Sequence, residues 1–204
     1  MIRGAALVCW LLLIALGCGL PPPTRPDVGA WVADLLMGRW DGTSPWVVAE
    51  FQWMGLWPAL VGLLIRSDWR ARVPAWPFVL ASFGLGCYAL LPWFVLRQDP
   101  RGVSTGGWLG RPVWPVTLTA IAVALLVWAA ATGDIRELGY AVAHEGFVWT
   151  MTFDFVAFWL LSIAESRART RGTPWQWTLV PLVGLGVFLA LESRIGDSAG
   201  TNTR

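Results

Sequence analysis

Apolar positions in this chain gather into long blocks, separated by short stretches rich in proline, glycine and arginine. From Trp76 to Leu96 every residue is apolar, aromatic or small, and the run then stops at Arg97, Asp99 and Pro100. Six such blocks, at roughly residues 4–20, 46–65, 76–96, 112–131, 147–164 and 175–191, read as membrane spans. At 1.5 Å per residue they reach about 25 to 32 Å, enough for the hydrocarbon core. No water is there to satisfy the backbone, so each is predicted to be helical. None alternates in the manner of a barrel strand. The expected fold is an all-α, polytopic membrane bundle, a single transmembrane domain over residues 1–204 with a surface segment at 21–45 and a polar tail at 192–204.

The boundaries carry their own signals. Pro21 to Pro23 stop the first helix, because proline has no N–H to continue it. After Asp27, residues Trp31, Val32, Leu35 and Leu36 fall at helical spacing, which predicts a short amphipathic helix along the membrane surface over 28–40, with an irregular loop as the alternative. The first block also has the positive start and small residues of a secretory or lipoprotein signal. Ala15 stands where leucine is usual three residues before Cys18, and a retained helix is expected.

Composition agrees with the membrane reading. Hydrophobic residues make up 56% of the chain and charged residues 14%, where a soluble domain carries about 25% charge. A net charge of +2 without a long basic run speaks against nucleic-acid binding. The chain is tryptophan-rich, with 16 of them, many near block ends, where an indole prefers the headgroup level. Trp53, Trp57, Trp128 and Trp159 lie deeper and must pack against helices, lipid or a ligand. Cys9, Cys18 and Cys87 show no metal-ligand spacing, and no metal site is expected.

All 15 basic residues are arginine. Threaded through six spans, they fall almost evenly on the two sides, so the positive-inside rule assigns no orientation. An internal repeat offers a reason. Residues 51–86 match 153–186, pairing Phe51 with Phe153, Trp57 with Trp159, Arg66 with Arg167, Arg70 with Arg171, Trp76 with Trp177, and Gly84 and Gly86 with Gly184 and Gly186. Three spans per half would set the halves in opposite senses, a 3+3 inverted repeat. Chance likeness between two apolar hairpins with basic loops is the competing explanation.

Ionisable residues inside spans are costly and mark interior or aqueous sites. Asp154 lies within the fifth span and shares a helix face with Thr150, Leu161 and Glu165. Glu50, Trp53 and Trp57 share a face of the second span, with Gln52 beside them. The ligand-binding candidates are therefore Asp154, Glu50, Gln52, Trp53 and Trp57, around a cation, a proton or a polar headgroup. The bland alternative has Asp154 pairing with an arginine or capping backbone groups, and Glu50 sitting at the headgroup level. Arg66, Arg70 and Arg72, with Arg167, Arg169 and Arg171, are expected at the interface against anionic headgroups. His144 is expected in an interfacial loop. No nucleophile-and-base set, phosphate loop or dinucleotide motif occurs, so no catalytic residue is assigned.

One resemblance adds to this. Gly55, Trp57 and Pro58, then Pro74 to Val79, Ser82, Phe83, Gly86 and Leu90 to Pro92, form a "PAWPFV…SF…LLP" pattern. It resembles a family of small multi-pass membrane proteins of cyanobacteria and plastids. The segment from Met151 to Gly172 is similar to that family's "S-x-D-F" helix, with Thr152 in place of the serine. The resemblance implies a photosynthetic setting, in a thylakoid or bacterial inner membrane. The expectation is then a non-catalytic accessory protein that helps assemble or stabilise a larger membrane complex, or holds chlorophyll, carotenoid or lipid. A small inverted-repeat carrier is the alternative, and a membrane enzyme ranks third.

Overall fold

The computed structural model describes residues 2–97, 108–170 and 172–201, with Ile2 and residues 195–201 described by backbone only. The described residues form α-helices and short 3-10 turns and no strand. The helices are α1 (Ile2–Gly19), α2 (Val28–Leu36), α3 (Pro45–Leu64), α4 (Trp76–Leu85), α5 (Cys87–Leu96), α6 (Val113–Thr132), α7 (Ile135–His144), α8 (Gly146–Arg169) and α9 (Val183–Thr201). Local chemistry sets several ends. Ser44 precedes Pro45, whose missing N–H costs nothing in a first turn. The Asp134 carboxylate caps α7 by accepting the Arg136 N–H at 2.9 Å. The amphipathic segment after Asp27 is helical over α2, shorter than the expected 28–40.

Three helices, α3, α6 and α8, are long and apolar enough to cross a membrane. α6 shows what kind of surroundings it needs. It buries only Pro115, Ala122 and Ala129, one stripe repeating every seven residues. Val113, Val116, Leu126 and Val127 point outward and are exposed. A helix so apolar on its outer face belongs against lipid.

The block 76–96, expected to be one span, is two helices of ten residues each. Gly86 divides them at φ 58° and ψ −147°, a conformation open to glycine and strained for other residues. The chain turns back there. A straight helix starting at Trp76 would carry Trp93 about 25 Å away; instead its indole Nε1 donates to the Val73 carbonyl at 3.0 Å. α4 descends beside α3, with Val79 against Gly62. α5 returns along α1, where Trp10 donates to the Tyr88 carbonyl at 3.1 Å and Tyr88 to the Leu13 carbonyl at 2.9 Å. Two helices of about 15 Å each form a hairpin that dips half-way and comes out on the side it entered. Pro92 lies inside α5 without ending it.

The block 175–191 is likewise not a continuous helix. A 3-10 turn (Trp175–Leu179) leads down to Thr178, whose carbonyl accepts from Trp159 Nε1 at 3.1 Å, in the middle of α8. The chain reverses at Leu182, which sits at φ 56°. α9 then climbs back until Glu192 Oε1 accepts from the Thr173 N–H and the Thr170 hydroxyl at the end of α8. The polar tail expected from 192 onward therefore begins inside α9, with Glu192 buried.

These two reversals change the sense of the second half. Val47 packs with Val148 near the starts of α3 and α8, and Asp68 meets Arg169 at their ends, so the two helices run parallel. Inverted halves would have made them antiparallel, whereas the described α3 and α8 run the same way. The arginines redistribute too. Arg3, Arg66, Arg70, Arg72, Arg97, Arg111, Arg167, Arg169 and Arg194 gather at the end where both hairpins open, against Arg25, Arg39 and Arg136 at the other. The even split expected from six spans disappears.

Candidate functional site

Asp154 lies in the third turn of α8, beside the tip of the α4–α5 hairpin. It is 4% exposed, and its Oδ1 accepts the Cys87 N–H at 2.8 Å. Cys87 opens α5, so that N–H is one of the donors a helix start leaves unpaired. The carboxylate also sits at the positive end of the α5 dipole. A side chain at Gly86 would run into the same carboxylate. The hairpin tip is thus shaped around Asp154 from above and below.

The second carboxylate oxygen takes no hydrogen bond from a described residue and borders a cleft of about 460 Å³. Phe51 and Met54 of α3, the Ser82–Gly86 segment with Tyr88, and Phe147, Thr150 and Met151 of α8 form its walls. The Ser82 and Thr150 hydroxyls donate to carbonyls of their own helices, Val79 at 2.7 Å and Gly146 at 2.9 Å, and leave lone pairs for the cleft. The expected inward face of α8 is present: Thr150 and Asp154 border the cleft, while Leu161 and Glu165 are buried further along.

The other expected ligand residues go elsewhere. Glu50 is buried where α3 faces Thr152 of α8, whose hydroxyl donates to the Val148 carbonyl at 2.9 Å, and its Oε2 has no hydrogen-bond partner among the described residues. Gln52 donates to the Leu35 carbonyl at 3.3 Å, tying α3 to α2. Trp53 donates to the Ala122 carbonyl of α6 at 3.2 Å. Trp57 is fully buried, stacked on Phe158 at 5.9 Å and edge-on to Phe155 at 5.5 Å. Asp154 alone of the five lines the cleft. Phe51, Met54, Gly86 and Cys87 were not singled out as a site, although glycine in mid-block is the signal a reversal leaves in sequence.

No family model, curated protein or solved structure matches this chain.

At the arginine-bearing end a second polar cluster is fully packed. Arg97 grips Glu165 with both guanidinium nitrogens, Nη1 to Oε2 at 2.7 Å and Nη2 to Oε1. Arg169 bonds Glu165 at 2.8 Å, Asp68 at 2.5 Å and the Ser67 hydroxyl at 3.1 Å. All four charged residues are buried, two positive and two negative, so the cluster is neutral. Arg97, where the apolar run stops, and Arg169, expected against headgroups, are instead interior ties between the α5 end, the turn after α3 and α8. Arg70, Arg72 and Arg167 are exposed, Arg167 lying over the Trp175 ring at 4.5 Å, and Arg66 is half-buried. Arg171 lies outside the described residues, as do Asp99 and Pro100. His144 is exposed at the end of α7, stacked on Tyr140 at 4.1 Å.

Proposed function

We propose that this chain is a small membrane carrier whose working site is Asp154 at the tip of the α4–α5 hairpin. The observation that carries the proposal is a carboxylate without a basic partner among the described residues, held in mid-bilayer by the first N–H of a half-length helix. Irregular backbone at membrane depth occurs where it lines a cavity, and half-helix ends aimed at a charged group are a recurrent carrier device.

The molecule is then two similar halves set side by side in the same sense. Each has a crossing helix, a surface helix, a second crossing helix and a hairpin: α1, α2, α3 and α4–α5, then α6, α7, α8 and the 3-10 turn with α9. The packing exchanges under that correspondence, α1 touching α5 and α8 while α6 touches α9 and α3. Corresponding residues of two halves meet only on the axis between them. Three such pairs do meet: Glu50 with Thr152, Trp53 with Phe155 at 6.1 Å, and Asp68 with Arg169. The axis runs along the membrane normal, as in parallel-repeat transporters. With α1, α3, α6 and α8 as the four crossings, the arginine-bearing end faces the cytoplasm by the positive-inside rule.

The test is charge movement in proteoliposomes challenged in turn with sodium, potassium, ammonium and tetraphenylphosphonium. Wild-type protein gives a current with at least one cation, and Asp154→Asn gives none. Currents no larger than those of empty liposomes with every cation would overturn the proposal. Purification as a coloured, high-mass species would overturn it too, in favour of an accessory role.

A further inference from the structure

The Asp154 cleft is too roomy and too apolar for a bare ion. A metal cation held without its water needs several oxygen ligands at short range. The cleft offers one carboxylate oxygen that no described residue bonds and three hydroxyl-bearing residues, Ser82, Tyr88 and Thr150, against walls of Phe51, Phe83, Phe147 and two methionines. A proton needs no cavity. About 460 Å³ falls within the range that encloses an organic molecule. Its wall includes Phe83 and Leu85, which are 52% and 64% exposed on the outer side of the hairpin, at membrane depth. On the carrier reading, this exposed flank of the cleft faces the lipid.

Resting on the carrier reading above, we infer that this cleft takes a hydrophobic organic cation directly from the membrane, with Asp154 as its counter-charge. Aromatic faces and a desolvated carboxylate reinforce each other for such a ligand, since both attract positive charge. An organic anion of the same shape meets the same walls but the wrong charge.

Two probes of matched size and opposite charge test this: tetraphenylphosphonium and tetraphenylborate, titrated into the full chain in detergent. Tetraphenylphosphonium is expected to bind at least tenfold more tightly than tetraphenylborate. Asp154→Asn keeps an oxygen for the Cys87 N–H, so the hairpin tip survives, and tetraphenylphosphonium affinity falls at least tenfold. Met54→Trp fills the cleft and leaves the charge alone; it too should abolish binding. Equal binding of the two probes, or tetraphenylphosphonium binding untouched by both variants, overturns the inference. A current with sodium or ammonium but no tetraphenylphosphonium binding sinks the organic-cation class and keeps the carrier. Selective tetraphenylphosphonium binding without any current keeps the ligand class and sinks transport.

Discussion

Trp57 and Trp53 sit one turn apart on α3, yet their indole N–H groups live in different circumstances. Trp53 donates to Ala122, whereas Trp57 Nε1 is buried with no hydrogen-bond partner. A buried donor left unpaired carries its desolvation cost in the folded state. Trp57→Phe removes that donor and keeps most of the stacked area, so it is expected to change stability by less than about 1 kcal/mol. Trp57→Ala is expected to cost about 3–5 kcal/mol, from the cavity it leaves. Unfolding in mixed micelles separates the two, and a Phe variant as damaged as the Ala variant would contradict this account. Gly86 is the opposite case, since here adding an atom does the harm. Gly86→Ala meets a positive φ and the Asp154 carboxylate together, with an expected cost of at least about 2 kcal/mol. The burial of Asp154 was legible in the sequence, because a carboxylate inside an apolar block is visible from composition. It could not show that Glu50 and Trp57 face α8 while Phe51 and Met54 face the cleft, for all share one helix and neighbouring turns.

The hairpins explain why the elements were harder to read than the residues. A ten-residue helix, one glycine and another ten-residue helix have the length and hydropathy of a single span. What betrays the reversal is tertiary: Trp93 on Val73, Tyr88 on α1, and Asp154 under Cys87. In the second half a leucine, not a glycine, holds the positive φ, so even the local signal is missing. The ends of the hairpins are fastened differently from their tips. The Arg97–Glu165–Arg169–Asp68 cluster ties the α5 exit to α8 and to the turn after α3. Breaking a buried pair by neutralising one member strands its partners. Glu165→Gln is expected to cost about 3–5 kcal/mol. An effect under 1 kcal/mol in the same micelle titration would mean that the cluster is solvated after all.

For the whole molecule, crossing number and charge balance turn out to be one question. Six spans made the arginines look evenly shared; with two hairpins that reverse, nine of the twelve arginines among the described residues lie at one end. Single cysteines in a background with Cys9, Cys18 and Cys87 replaced read this directly. Arg70→Cys and Ala168→Cys are expected to react with an impermeant thiol reagent from the same, inner side, and Asp41→Cys and Glu137→Cys from the outer side. Labelling of Arg70→Cys and Ala168→Cys from opposite sides would restore the inverted arrangement. Membrane residence and helical class were legible from block length and composition alone. The two chain reversals were not, because they are held by contacts between residues far apart in the sequence.

The bond between Asp154 and Cys87 joins residues 67 positions apart, and that separation bears on how the protein is made. When α5 leaves the ribosome, the carboxylate that caps it has not been synthesised. The hairpin must wait at the membrane surface, or sit in the lipid with an uncapped N-terminus, until α8 arrives. The segment up to α5 is therefore not an independent folding unit. A chain ending before Gly146 is expected to be cleared by quality-control proteases, and co-expression of the missing α8–α9 segment as a separate polypeptide should rescue it.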